Sequence, residues 1–161
     1  MRRDSNNILN SFKNAFRGIE EALKLERNLK IHFFIGIAIA MFSLFLPLDS
    51  KDLLWLYFAV FSVIGAELLN TVVEKFLDLF FEDYSESVRL VKDIAAGLVL
   101  WYSLFSIVVG ILILGKNLFS WPPSIAKFFV SGVLIFFPVL SLIMRRYKKY
   151  DRQTNKSSSG G

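Results

Sequence analysis

Three observations predict an all-α membrane protein. Of the 161 residues, 54% are hydrophobic and 16% aromatic, more apolar than an ordinary soluble domain. Apolar stretches recur at spanning length, about 20 residues being what a ~30 Å hydrocarbon core requires of a helix. The Lys and Arg residues fall in alternate connections, sixteen in the first, third and fifth polar segments against three in the second and fourth. By the positive-inside rule this bias puts both termini in the cytoplasm of a multi-pass protein. The formal charge of +5 is therefore topological, and no nucleic-acid partner is expected.

Composition excludes other chemistries. There is no Cys, hence no disulfide framework and no thiolate-held metal. The single histidine, His32, excludes a His-cluster metal site within one chain and reads as a residue of the membrane boundary. The first thirty residues are polar, so no secretory signal is expected.

Residues 1–30 form a cytoplasmic segment. Within it Ile8, Phe12, Phe16, Ile19 and Leu23 recur at helical spacing, which predicts an amphipathic helix lying on the inner membrane surface. The first span is expected over Ile31 to Leu48, ended by Pro47. Asp49 is placed to cap the next helix, with Asp52 in its acidic first turn and Trp55 at the outer interface. That second span starts near Leu53 and leaves the membrane near Asp78. The loop Phe81 to Val88 carries Glu82, Asp83 and Glu86, and Ser85 or Asp83 can cap the helix of the third span. The third span, Ile94 to Leu114, has 21 uncharged residues, and Ala95, Ala96 and Gly97 leave room for a neighbouring helix or a ligand.

These three spans make a core over residues 31–115. Residues 116–144 add an outer loop, with Trp121 and the helix-breaking pair Pro122–Pro123, and a fourth span from about Ile125 to Met144. Residues 145–161 are a basic cytoplasmic tail anchored by Arg145, Arg146, Lys148 and Lys149.

Function is read from the second span. Its first half, Leu53 to Gly65, has no acid, and then come Glu67, Asn70, Glu74 and Asp78, within about 80° of one another on an ideal helix. A charge at lipid depth costs a few kcal/mol even on the mildest scale, about 2.5–3.5, so such residues face a pathway or a reaction site. Glu67 lies about 21 Å from the entry side of the span, still within the core, whereas Glu74 reaches the aqueous edge. That depth difference suits chemistry joining a membrane molecule to a soluble one. Together with Glu26, Lys92 and Asp93, these groups resemble a nucleotide-phosphate site. Glu26 and Glu74 can hold Mg²⁺ beside phosphate oxygens, Lys92 can neutralise a phosphoryl group, and Glu67 can take a proton from a lipid hydroxyl. The stretch Gly110 to Lys116 matches part of a phosphate-binding loop, but Asn117 stands where Ser or Thr is needed and the stretch ends an apolar span.

Three stretches in order, SFKNAFRGIEEALKLERNLKIH, GAELLNTVVEKFLD and VKDIAAGLVL, carry a resemblance over residues 11–115 to the small bacterial integral-membrane lipid kinases, the diacylglycerol kinase and undecaprenol kinase family. The resemblance implies a bacterial plasma-membrane enzyme that transfers the γ-phosphoryl group of ATP, with Mg²⁺, to a lipid alcohol. It implies a homotrimer whose sites combine helices of neighbouring subunits. By motif, Glu67 resembles the catalytic base and Asn70 the residue that positions reactants. Glu26 and Glu74 resemble the metal carboxylates, Lys92 the phosphate-contacting lysine and Asp93 its nucleotide-side neighbour. Asn14 and Gly18 fall on the surface helix that closes over the nucleotide, while Asp78 and Glu86 match acids of less definite role. Members commonly stop after the third span, so the fourth has no counterpart. ERNLKIH looks more like the undecaprenol-type members, with diacylglycerol the other acceptor.

Two rival readings come from other classes. A cation or proton transporter also uses intramembrane carboxylates, but a relay needs acids through the whole depth, and Leu53 to Gly65 has none. A non-catalytic membrane adaptor would depend on the basic tail and not on Glu67.

Overall fold

The computed structural model describes residues 3–81 and 85–158. The described residues form α1 (Arg3–Leu25), α2 (Arg27–Ser43), α3 (Ser50–Phe80), α4 (Glu86–Phe119) and α5 (Pro123–Ser158), with no strand. The chain divides into two compact units, Met1–Asn117 and Leu118–Gly161.

In the first unit, α1 and α2 are separated by Glu26 alone, whose extended backbone (φ −102°, ψ 118°) breaks the helix. The break stays hydrogen-bonded: Glu26 N donates to Ala22 O at 2.9 Å, and Lys30 Nζ donates to Lys24 O at 3.1 Å. A lysine on the last carbonyls of a helix satisfies acceptors that have no partner inside it.

The α2–α3 pairing rests on one buried face of α2. Leu29, Gly36 and Ser43 are buried at seven-residue intervals on α2, two turns apart on one side of the helix. A Cβ on Gly36 would lie 2.8 Å from Val60 Cγ1 and 3.6 Å from Ile64 Cδ1, so only glycine permits this approach. Further along, Ser43 Oγ lies 3.0 Å from Tyr57 OH. These contacts set an antiparallel register in which Ser43 meets Tyr57 and Gly36 meets Val60.

The expected first span is corrected at both ends. The helix begins at Arg27 and stops at Ser43, four residues before Pro47. Ser43 Oγ turns back to Ala40 O at 2.7 Å, and the N–H groups of Leu44, Phe45 and Leu46 tighten onto Met41, Phe42 and Ser43 carbonyls. Such i−3 bonds wind the last turn into a tighter helix and end it.

Asp49 caps α3 as expected, accepting from Lys51 N at 2.9 Å and Asp52 N at 2.8 Å, with Asp52 in the first turn. Ser85 is the cap of α4, its Oγ accepting from Val88 N at 3.2 Å; the alternative, Asp83, lies with Glu82 outside the described residues. Against α3, α4 packs Val109 and Ile113 on Leu56 and Ala59, and Phe105 meets Phe58 edge-on at 6.2 Å.

Among the described residues three helices are long and apolar enough to cross a membrane: α3, α4 and residues Lys127–Met144 of α5. The 17 residues of α2 rise about 26 Å, just short of a ~30 Å core, so the four expected spans become three plus this shorter apolar helix. Large hydrophobic side chains such as Phe61 and Leu79 stay more than 70% exposed, which a bilayer would cover and water would not favour.

In the second unit Ser120 takes a left-handed φ of 50° and Pro123 opens α5, its missing N–H costing nothing in a first turn. Trp121 stacks on Phe119 and Phe129. Helix α5 runs on through the basic residues to Ser158, so residues 145–158 are helical where a separate tail was expected.

Candidate active site

Glu67 is buried at 4% exposure in the middle of α3. An isolated carboxylate removed from water is costly unless it is paired. The structure pairs it with His32, whose Nε2 lies 3.4 Å from Glu67 Oε1. The expectation that His32 is a bland boundary residue is thereby corrected: it continues the α2–α3 register one turn below the Gly36–Val60 contact. The two other charges acting on Glu67 are Glu26 and Glu74, both of like sign.

The neighbouring polar groups are committed elsewhere. Thr71 Oγ1 donates to the main-chain carbonyl of Glu67 at 2.9 Å. Asn70 Nδ2 donates to Glu74 Oε1 at 2.9 Å, a bond between residues one turn apart that fixes the Glu74 carboxylate. The amide's other atom, Asn70 Oδ1, is buried with no hydrogen-bond partner among the described residues. An orphaned buried acceptor is expensive and is commonly explained by an ion or ligand.

These donors are of the kind that Mg²⁺ takes from a protein. No group of three or more His, Cys, Asp or Glu side chains is close enough to cage a metal among the described residues. A complete protein cage is not what Mg²⁺ uses, since one or two carboxylates plus substrate phosphates suffice. Glu26 at the α1–α2 break and Glu74 on α3 are half-buried and near enough to act on Glu67, and Asn70, bonded to Glu74, carries a further free oxygen.

The other candidate residues are distributed differently. Lys92 Nζ donates to Asp78 Oδ1 at 2.6 Å, joining α4 to the end of α3. Asp93 is exposed on the next position of α4. Asn14 and Gly18 are exposed on α1, and the space where a Gly18 Cβ would sit is open. At the start of α4, Ala96 and Gly97 are also exposed, with nothing within 4 Å of a Cβ on Gly97. Glu86 pairs within its own helix, with Arg89 in the same first turn at 3.6 Å.

Thus one cluster holds Glu67, Asn70, Glu74, Glu26 and His32, and a second pair holds Lys92 and Asp78. His32 was the residue missed from sequence. Its only signal is its place one turn before Gly36, and that signal needs the register between α2 and α3 to be read.

Comparison with known proteins agrees with the motifs. A chain from Synechocystis sp. named diacylglycerol kinase is 35% identical over 105 residues, covering 65% of this chain and 60% of that one. A Bacillus subtilis protein named undecaprenol kinase is 30% identical over 112 residues, covering 70% of this chain and 91% of its own length. The matched stretch thus spans less than two thirds of the Synechocystis protein. The family model described as prokaryotic diacylglycerol kinase matches residues 13–114, a stretch that contains every candidate residue from Asn14 to Asp93, and on that match the chain belongs to the prokaryotic diacylglycerol kinase family.

Proposed function

We propose that the protein is a membrane lipid kinase that transfers the γ-phosphoryl group of ATP to the hydroxyl of undecaprenol or diacylglycerol at the cytoplasmic face. The observation that carries this reading is the buried Glu67 carboxylate beside the Asn70–Glu74 bond and the orphaned Asn70 oxygen, in a chain of this family.

Glu67 accepts the proton of the lipid hydroxyl as that oxygen forms its bond to the γ-phosphorus. The bond from phosphorus to the β–γ bridging oxygen breaks, ADP leaves, and the proton passes from Glu67 to water. Asn70 orients Glu74 and presents its free carbonyl oxygen to the phosphate side. Glu26 and Glu74 hold Mg²⁺, which when bound supplies neutralisation of the phosphoryl oxygens. Lys92 moves from Asp78 to a phosphate oxygen, and Asp93, Asn14 and Gly18 line the nucleotide side. Phosphoryl transfer asks the protein chiefly for positioning and charge stabilisation, which is what this set of residues can give.

In this reading α2 completes a four-span arrangement, shortened at Ser43. Helix α1 lies on the inner membrane surface through Ile8, Leu9, Phe12 and Phe16, all exposed. Both termini are cytoplasmic, and the enzyme is a homotrimer in a bacterial plasma membrane.

The test incubates purified protein in detergent with labelled ATP, Mg²⁺ and each lipid separately. One lipid alcohol is labelled by the wild type, and neither is labelled by Glu67→Gln. Labelling of no lipid alcohol would favour the transporter or the adaptor.

A further inference from the structure

Nothing in phosphoryl transfer by Glu67, Asn70, Mg²⁺ and Lys92 requires a histidine, yet the only histidine of the chain sits on the base. We infer that His32 is a positioning residue for Glu67, holding one carboxylate oxygen through Nε2 so that the other is free to meet the acceptor hydroxyl. This inference rests on the reading of Glu67 as the base.

Four observations converge on it. His32 Nε2 is 3.4 Å from Glu67 Oε1, with side-chain exposures of 24% and 5%, so the contact is sheltered from water on both sides. Among the described residues the other charged groups that act on Glu67 repel it: Glu26 from the α1–α2 break and Glu74 from α3 itself. The polar side chains one turn along α3 from Glu67 are spent, Thr71 on a main-chain carbonyl and Asn70 on Glu74. Lastly, the approach of α2 that delivers the imidazole depends on Gly36, one turn beyond His32, where a Cβ would collide with Val60.

The chemistry comes from the inventory of the two groups. A carboxylate is an acceptor only, so the imidazole nitrogen facing it is the protonated one; a lone pair there would oppose a lone pair. At 3.4 Å that N–H faces the carboxylate as an electrostatic contact, which favours one tautomer and one carboxylate rotation among several. A base aimed by a neighbour in this way is a recurrent arrangement, in which the third group orients the second.

The experiment uses the full-length protein in detergent with labelled ATP and the lipid alcohol that it phosphorylates. Gln places an amide N–H near the position of Nε2, Asn places one near Nδ1, and Leu has neither. Thus His32→Gln retains kcat, while His32→Asn and His32→Leu lower it by at least about tenfold with KM for ATP little changed, the pattern of an interaction felt in the transition state. Wild-type kcat in His32→Leu overturns the inference. So does an equal loss in all three variants, which would mean packing, or a loss confined to KM for ATP, which would mean nucleotide binding.

A second readout does not depend on turnover. With one histidine in the chain, ¹⁵N-histidine labelling gives a single imidazole spin system, and Glu67→Gln is expected to move its Nε2 resonance while Asp49→Asn leaves it in place. An unmoved resonance overturns the contact. If the wild type phosphorylates no lipid while the resonance does move, the kinase reading fails and the pairing of the two residues stands.

Discussion

The polar knot at the start of α3 and the one in its second half are built on opposite principles. At the start, Lys116 of α4 donates to Asp49 at 3.0 Å and Asp52 at 2.9 Å, and Asn117 adds a bond to Asp52 at 2.9 Å. Charges there alternate in sign, main-chain donors cap Asp49, and two of the three ionic side chains are more than half exposed. In the second half, two carboxylates act on the buried Glu67 with like sign, a histidine lies beside it, and a buried amide oxygen has no partner among the described residues. The first knot is satisfied as it stands, and it fastens α4 to α3. The second leaves a buried acceptor unpaired among the described residues, and it is there that the proposed function puts the reaction.

The contrast can be broken by substitution. The largest effect is expected from Glu67→Gln, which removes the proposed proton acceptor. Lipid phosphorylation should drop at least about 100-fold, while the melting temperature holds or rises because a buried charge has been removed. A melting temperature that collapsed with activity would make Glu67 a structural residue.

Next comes Asn70→Ala, which frees Glu74 and deletes the orphaned oxygen. A loss of about 10- to 100-fold, roughly what removing an outer-shell partner costs, should appear together with a raised Mg²⁺ requirement in a metal titration. Unchanged Mg²⁺ dependence would remove Asn70 and Glu74 from the metal side.

Gly36→Ala sharpens the comparison because it touches neither knot. The added methyl meets Val60 at 2.8 Å, and overpacking of this kind costs about 1–3 kcal/mol. It should weaken phosphorylation by moving His32 off Glu67, and Val60→Ala in the same chain should restore both stability and activity. A double variant no better than the single one would separate the α2–α3 approach from the site.

The smallest effect belongs to the first knot. Asp49→Ala and Lys116→Ala should shift the melting temperature slightly and leave phosphorylation intact. The Asp49 carboxyl is held below the ordinary carboxylate range, first by the Asp52 N–H and then by Lys116. A carboxyl depressed by folding contributes stability at pH above its unfolded value, and that contribution is lost as pH falls through the folded value. Acidification below about 4 should therefore loosen this knot, and Asp49→Asn should flatten that part of a melting-temperature profile. An identical acid dependence in the variant would mean that other carboxylates control it.

The difference between the knots also explains how much was legible in the residues alone. The cap at Asp49 and the acids of α3 are local signals: a cap lies within three residues of the N–H groups it serves, and a polar stripe repeats at helical spacing. The Pro122–Pro123 break is local too, since proline acts on its own backbone. The end of α2 was missed because Ser43, a residue with no strong stop signal, turns its hydroxyl back on the helix and toward Tyr57. The continuation of α5 past Met144 was missed because the change from apolar to basic marks where a membrane would end, and a helix need not end there.

By itself the sequence determined the all-helical class, the cap at Asp49, the polar stripe of α3 and the residue types from which a phosphate site can be built. Each of these depends on spacing along one stretch of chain, where a turn of helix converts residue number into position. Only the tertiary structure decided that His32 meets Glu67. That outcome depends on the register between two helices, set by a glycine and a valine touching at one point, and nothing in either helix alone records where the other will stop.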